Sequence, residues 1–351
     1  MALLRAALGV PPLAGDGEDV RLADPHQIMA IATSHRILES LAPGVAAGRP
    51  LREELEPNAV VFLEELHAAN ARRNARLTET LRHLGSVFAA QSWEAVVLKG
   101  GADLALGNEI PGRFVGDLDL LMPEQNAREA QQLLVSAGWD EYVEPDRFVE
   151  THHHMPPLSH RQHEGFVEIH LRIGTPAVET ALPASLVVAH SVPSGHKGLR
   201  VPCRDHRVAH LALHAQFGDF RWEEGRISLC QVADLSRLKA LGLVAPVSES
   251  EPDETTDAID AFHLASALLL GQSTKKITAS ASAHRWAKRA LQNLSRPSEV
   301  RKARALRALR WRVHALVFDP TQRAHWAKNL LTASGLKRSI DKLRRKLTEI
   351  R

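Results

Sequence analysis

Two aspartates one residue apart, Asp117 and Asp119, are the residues of this chain whose types and spacing most directly predict chemistry. They lie in the apolar segment from Val115 to Leu121, which has the composition of a β-strand. Successive side chains of a strand point to opposite faces, so both carboxylates face the same way and repel each other unless a cation lies between them. Divalent cations prefer such oxygen ligands, and Mg2+ with substrate phosphates is the commonest case. The alternative is an Asp-x-Asp pair in a loop or at a strand edge, which is frequent and has no function.

A third carboxylate favours the metal interpretation. Residues 166–172 also alternate in polarity, which places Glu168, His170 and Arg172 on one face of a second strand and apolar residues on the other. Bare carboxylates are costly to bury in an apolar strand. We therefore predict that Asp117, Asp119 and Glu168 converge on one divalent metal site.

The segment before the aspartates ends in a pair of glycines. Val96 and Val97 favour a short strand, Gly100 and Gly101 favour a tight turn, and a helix is expected to begin near residue 102. Backbone N–H groups exposed at such a turn can bind an anion. Two cations lie nearby in the sequence, and they either neutralise that anion or have an ordinary surface or ion-pair role: Lys99 and Arg113.

The stretch 151–154, Thr-His-His-His, invites a zinc interpretation. Adjacent histidines on a strand point to opposite faces and cannot all bind one ion, and no cysteine or acidic residue lies at zinc-ligand spacing. A polar strand beside the site is the preferred interpretation. In that case His154 or His170 is placed where it could contact a substrate.

Together these motifs resemble the nucleotidyltransferase core of the DNA polymerase beta superfamily, and within it an uncharacterised bacterial nucleotidyltransferase family. The superfamily commonly has Gly-Ser where this chain has Gly100-Gly101. Weaker similarity before and after the core extends the resemblance to about residues 25–240. The segments that carry it most clearly are Leu98-Lys99-Gly100, Arg113, Asp117-Leu118-Asp119-Leu120-Leu121 and Val167-Glu168-Ile169-His170.

The resemblance implies transfer of a nucleoside monophosphate from an NTP, with ATP as the default, to an acceptor hydroxyl on a small molecule, a protein or an RNA end. It implies that Asp117, Asp119 and Glu168 hold one or two Mg2+ ions, or Mn2+, and that Glu168 helps to activate the acceptor. The implied nucleotide-binding residues are Lys99, Gly100, Gly101 and Arg113. The alternative is a non-catalytic polyanion-binding or scaffold protein that retains the fold.

The expected fold class is α+β, a small mixed-sheet nucleotidyltransferase core with helices on one side, flanked by N-terminal and C-terminal helical regions. Periodicity predicts one helix from Asp24 to about Leu41, a long helix over 57–84, and strands near 94–98, 114–122, 148–155 and 165–173. The expected divisions are a loose N-terminal segment (1–23), an N-terminal helical layer (24–92), the core (93–204), a helical continuation (205–245), an acidic linker (246–256) and a basic C-terminal helical region (257–351).

The net charge of +3 conceals a strong asymmetry along the chain. From His284 to the end there are 19 Lys and Arg residues against four Asp and Glu residues. Residues 284–351 therefore suit three interpretations: amphipathic helices whose basic side chains cover apolar surface, binding of nucleic acid or another polyanion, or attachment to an anionic membrane surface.

Length and composition favour a globular protein of two or three domains in the cytoplasm. The 351 residues are too many for one domain of average size, and 44% hydrophobic with 24% charged residues is ordinary for a globular chain. Two cysteines, Cys203 and Cys230, cannot build a disulfide framework, which favours a reducing compartment. No apolar run approaches the ~18–20 residues that a transmembrane helix requires, so we expect no transmembrane segment.

Overall fold

The computed structural model describes residues 25–48, 52–53, 55–142, 153–242, 253–275, 277–294, 296, 298–304 and 306–307. The predicted loose segment 1–23, the first part of the predicted strand near 148–155 and the chain after residue 307 lie outside the described residues. The acidic linker is described only from Asp253, which already caps a helix by accepting a hydrogen bond from the backbone N–H of Thr256 at 2.7 Å.

Three helices form the N-terminal layer: α1 (Pro25–Ser34), α2 (Leu38–Ala46) and α3 (Pro57–Ala90). The prediction of one helix to about Leu41 is wrong, because Arg36 adopts a left-handed φ of 55° and ends the first helical segment. Helix α3 extends beyond the predicted range and belongs to two layers. Its first half packs among helices through Leu63, and its second half packs on the sheet through Leu77 and Leu84.

A seven-stranded mixed sheet forms the centre, with the order β3-β4-β5-β2-β1-β7-β6. Strand β2 is antiparallel to β1 and parallel to β5. Three of the predicted strands are present, each slightly shorter than its predicted range, and the α+β fold class is confirmed. The strands are β1 (Ala95–Val97), β2 (Asp117–Leu121), β3 (Asp140–Glu141), β4 (Leu158–Ser159), β5 (Phe166–His170), β6 (Val192–Pro193) and β7 (Leu199–Val201).

Helices cover both faces of the sheet. Helix α3 covers one face together with α4 (Lys99–Ala105) and α5 (Glu124–Ser136), and the other face is covered by α6 (Pro176–Ala181), α7 (Ala184–Ala189) and α8 (Arg204–Leu213). The expectation of helices on one side is wrong, because the central strands carry apolar side chains on both faces. Leu120 points to the first layer and its neighbour Leu121 to the second.

The remaining helices pack with α1 and α2 as a separate apolar cluster. A five-residue π-helical turn (His214–Gly218) continues α8 and leads to α9 (Arg221–Glu224), α10 (Leu229–Ala240), α11 (Glu254–Leu269) and α12 (Ala281–Asn293). Trp222 and Trp286 stack within this cluster at a ring distance of 5.8 Å. Within the described ranges, no helix has both the length and the apolar composition needed to cross a membrane.

Two arginines that follow α12, Arg304 and Arg307, contact the helical cluster through Glu224. This carboxylate is 1% exposed and pairs with Arg226 at 2.6 Å, Arg307 at 3.1 Å and Arg304 at 3.4 Å. The guanidinium of Arg307 also lies over the ring of Phe220, 4.2 Å from its centroid. Arg304 and Arg307, which follow α12, are therefore engaged within the molecule. Polyanion binding by residues 284–351 stays a prediction.

Candidate functional site

Strands β2 and β5 carry the candidate site on the sheet face that α6, α7 and α8 cover in part. Their parallel register places Asp119 opposite Glu168, and Asp117 opposite Phe166. Because side chains alternate along each strand, the carboxylates of these three acidic residues project from one face. His170 follows Glu168 on that face, at the end of β5.

Asp119 is the most enclosed carboxylate of the site, with 2% of its side chain exposed. Its Oδ1 accepts a hydrogen bond from Lys99 Nζ at 2.8 Å and another from His170 Nε2 at 2.8 Å. Lys99 reaches Asp119 because β1 lies antiparallel beside β2, and the N–H of Leu98 donates to the carbonyl of Asp119 at 2.9 Å. Lys99 adopts a left-handed φ of 48° where the chain turns from β1 into α4.

These contacts set the protonation of the site. Burial raises the pKa of Asp119, but the charge of Lys99 and the hydrogen bond from His170 outweigh it, so that this pKa lies well below its usual value. Burial lowers the pKa of His170 and of Lys99, but their contacts with Asp119 outweigh it and both pKa values are raised. Asp119 is therefore an ionised carboxylate held between the ammonium of Lys99 and the imidazole of His170, whose pKa it raises.

Asp119, Glu168 and His170 form the group of metal-ligating side chains that the structure brings together among its described residues, with one ligand atom of each within 4.8 Å of the others. Glu168 Oε2 lies 3.7 Å from His170 Nε2 and 3.8 Å from His154 Nε2. Burial raises the pKa of Glu168, but contact with His170 and the charge of His154 outweigh it and the pKa is lowered. Two ionised carboxylates and an imidazole fit a divalent cation, which is the kind of cofactor that the resemblance implies.

Asp117 lies two residues earlier on β2, at the exposed start of the strand, and outside that group of described ligands. Its carboxyl is enclosed enough that burial raises its pKa, and the charge of Asp119 raises it further. The positive charge of Lys99 acts in the opposite direction. The two aspartates therefore interact electrostatically, and metal binding by Asp117 stays a prediction.

The two glycines are buried where α4 leaves the sheet, and the helix begins at Lys99 instead of near residue 102. A Cβ atom on Gly100 would lie 2.8 Å from Nε of Arg113, and one on Gly101 would lie 2.9 Å from Cγ1 of Val97. Gly100 thus leaves room for the guanidinium of Arg113, which pairs with Asp234 at 3.1 Å. Ion pairs are therefore present for both predicted cations, and nucleotide binding by Lys99, Gly100, Gly101 and Arg113 stays a prediction.

A cavity of about 150 Å³ opens beside Lys99, between α4, α8 and α10. Two of its arginines are held by carboxylates: Arg207 by Asp103, and Arg237 by Asp234 at 2.6 Å. The lining has four cationic side chains and two carboxylates, so its net charge is positive, which favours an anionic ligand. The charged lining residues are Lys99, Asp103, Arg113, Arg207, Asp234 and Arg237.

Two histidines one helical turn apart, the buried His210 and the partly buried His214, complete the lining of this cavity. Burial, and then the charge of Lys99, lowers the pKa of His214 to about 4. The pKa of His210 lies well below its usual value, chiefly because of burial, and no described residue hydrogen-bonds its Nε2. A buried polar atom of this kind suits contact with a ligand. The sequence analysis gave these histidines no role, although their four-residue spacing on a helix was the signal for a shared face.

Comparison with known proteins points to the same part of the chain. A family model described as an uncharacterised nucleotidyltransferase matches residues 22–242, a range that contains the whole sheet and every candidate site residue. No curated protein and no solved structure matches the chain. The family match extends over more than half of the sequence. The chain therefore belongs to this uncharacterised nucleotidyltransferase family.

Proposed function

We propose that this protein transfers a nucleoside monophosphate from an NTP, with ATP as the first candidate, to a hydroxyl group of a small molecule, a protein side chain or an RNA end. The observation that carries the proposal is the ionised, buried Asp119 opposite Glu168, beside a cavity with a positive lining. Membership of a nucleotidyltransferase family supports the reaction class. The DNA polymerase beta type of core is part of the same proposal.

Asp117, Asp119 and Glu168 are the residues that would hold one or two Mg2+ ions, with Mn2+ as the other candidate. A bound divalent ion at such a site neutralises phosphate charge and orients the attacking and leaving oxygens. The contribution of the chain is to keep its carboxylates ionised. The pKa values of Asp119 and Glu168 are both lowered, so both carboxyl groups are deprotonated before a metal binds.

In the proposed reaction, the acceptor oxygen forms a bond to the α-phosphorus while the bond from that phosphorus to the bridging oxygen breaks. The electron pair of the broken bond leaves with pyrophosphate, and Glu168, which is partly exposed, takes the proton of the acceptor hydroxyl. Lys99 keeps its charge, since its pKa is raised, and it lies between Asp119 and the cavity, where it can neutralise the departing pyrophosphate. Arg113, whose guanidinium lies against Gly100, would neutralise further phosphate charge.

The test is to incubate the purified protein with each NTP, radiolabelled in its α-phosphate, together with Mg2+ and a cell extract, and to follow the label. The wild type is expected to label an acceptor, and Asp119→Asn is expected to label none. Asp140→Asn, a matched change on the exposed strand β3, is the control and should retain the wild-type rate.

Two outcomes would count against this function. Transfer at a near wild-type rate in Asp119→Asn would reject metal-assisted catalysis by this carboxylate. An absence of labelled acceptor, combined with nucleotide binding that does not respond to Mg2+, would favour the alternative of a non-catalytic scaffold or polyanion-binding protein.

A further inference from the structure

The orientation of His170 is fixed by two contacts at the end of β5. Its Nδ1 lies 3.3 Å from the carbonyl oxygen of Arg172, and a carbonyl oxygen can only accept a hydrogen bond. Nδ1 therefore carries a hydrogen and donates it. The ring is 1% exposed, so this contact is retained within the packed sheet.

The other ring nitrogen faces the two carboxylates of the site. His170 Nε2 lies 2.8 Å from Asp119 Oδ1 and 3.7 Å from Glu168 Oε2. Nδ1 therefore holds the ring in place, and Nε2 is the nitrogen that faces the oxygens of the site. In the neutral tautomer with its hydrogen on Nδ1, the lone pair of Nε2 points into the space that Asp119 and Glu168 share.

This is the arrangement in which histidines bind metals. A metal-binding imidazole generally donates its second N–H to a backbone carbonyl or a carboxylate, which fixes its tautomer and its orientation. In His170 the carbonyl of Arg172 supplies that contact, and Asp119 and Glu168 supply two oxygen ligands within 4.8 Å of Nε2. Neither alternation nor resemblance had assigned His170 to the metal, because the predicted ligands were all carboxylates.

We propose that His170 binds a divalent metal directly through Nε2, together with Asp119 and Glu168, and that this ligand gives the site a preference for a first-row transition metal over Mg2+. The inference rests on the proposed function, since it concerns the same metal site. Imidazole suits transition metals, whereas Mg2+ prefers oxygen ligands and water.

A direct spectroscopic test uses the wild-type protein alone. One equivalent of Mn2+ is added to the purified full-length chain, and pulsed electron paramagnetic resonance is used to search for hyperfine coupling to a directly bound imidazole nitrogen. We expect that coupling. Bound Mn2+ without any nitrogen coupling would overturn the inference while leaving the proposed carboxylate site standing, and failure to bind Mn2+ or Mg2+ at all would overturn both.

A substitution then separates a ligand from a residue that only positions Asp119. His170→Gln retains an amide donor for Asp119 but removes the imidazole, and Zn2+ and Mg2+ affinities are compared by calorimetry. Imidazole is a preferred ligand of Zn2+ and not of Mg2+, so we expect Zn2+ affinity to fall by at least ~10-fold, the size of effect seen when only a supporting contact is lost, and Mg2+ affinity to change far less. His284→Gln is the control for adventitious binding, because it also removes one histidine but at an exposed position on α12. It should alter neither affinity.

An equal loss for both ions in His170→Gln, without nitrogen coupling in the wild type, would make His170 a positioning residue for Asp119. Circular dichroism of the variant checks that it folds. Should it fail to fold, the wild-type spectrum still decides the question, because it requires no substitution.

Discussion

Replacing Asp119 by Asn in the metal-free protein tests whether the site is held together by attraction or strained by repulsion. If repulsion between the two aspartates dominated, Asp119→Asn would stabilise the fold. The contacts predict the opposite, since Asp119 Oδ1 is the shared acceptor of Lys99 Nζ and His170 Nε2, each at 2.8 Å. The variant leaves two cationic groups without their counter-charge in a site that is closed to water on most sides.

The magnitude follows from the number and kind of these bonds. A hydrogen bond to a charged group contributes ~1.5–3 kcal/mol, and breaking a buried ion pair from one side costs ~3–5 kcal/mol. Lys99 has 29% of its side chain exposed, so water recovers part of its loss. The amide oxygen of the introduced asparagine also remains an acceptor for one partner. We therefore expect a loss of about 2–4 kcal/mol in the free energy of unfolding.

The pH dependence of this loss has a definite sign. The pKa of His170 is raised above 6.5 in the folded protein, so the stability that its charge contributes is fully present below pH 6.5 and disappears as the pH rises through the folded pKa. The difference between wild type and Asp119→Asn should therefore be largest near pH 6 and become smaller at higher pH, as measured by urea denaturation with a chelator present.

Asp117→Asn is the matched control, because it makes the same change two residues earlier on the same face of β2. The pKa of Asp117 is raised, by burial and then by Asp119, so its charged form is disfavoured and its neutralisation should be harmless or slightly stabilising. Equal losses in the two variants, or a gain in Asp119→Asn, would refute the account of Asp119 as a carboxylate that holds two cations.

Elsewhere in the molecule, His263→Gln is expected to reduce the loss in the free energy of unfolding at acid pH. Burial lowers the pKa of His263 from 6.5 to about 4, so the wild type should lose about 3 kcal/mol as the pH falls through that interval, measured by urea titration at each pH. Glu224→Gln should leave three arginines without their shared carboxylate and cost ~3 kcal/mol, with faster proteolysis after residue 296 as the second measurement. Gly85→Ala should cost ~1–3 kcal/mol in thermal denaturation, because its Cβ would lie 2.4 Å from the carbonyl of Lys197, whereas Gly195→Ala meets only an ordinary contact at 3.5 Å.

The local patterns of the sequence were sufficient to predict the strands that carry the site. Alternation is a property of neighbouring residues, so the faces of 114–122 and 165–173 could be assigned without knowing their partners. The parallel register that sets Asp119 opposite Glu168 is a pairing of distant segments, and no local pattern specifies it. The break between α1 and α2 was missed for a related reason, since a left-handed φ at Arg36 has no marker in its residue type.

The cations of the site were harder to predict than its carboxylates. Lys99 was expected either to neutralise a bound anion or to have a surface or ion-pair role, and the antiparallel pairing of β1 with β2 brings its ammonium to Asp119. Arg113 was predicted from its place in the sequence between the glycines and the aspartates, and its guanidinium packs against Gly100 and pairs with a carboxylate from α10, more than a hundred residues later. Long cationic side chains can reach several partners, and only the tertiary arrangement decides among them.

The position of Lys99 links the carboxylates to the cavity. Its ammonium is bonded to Asp119 and also lines the cavity, so an anion that binds there competes with Asp119 for the same charge. A cation on Asp119 would replace that ammonium and leave Lys99 available to the anion, and by linkage the anion would strengthen binding of the cation equally. Anion binding alone requires only the positive cavity, which a scaffold could also have. Nucleotide binding that a divalent cation strengthens requires Asp119 and Lys99 together, and for that reason the response to the cation distinguishes a transferase from a scaffold.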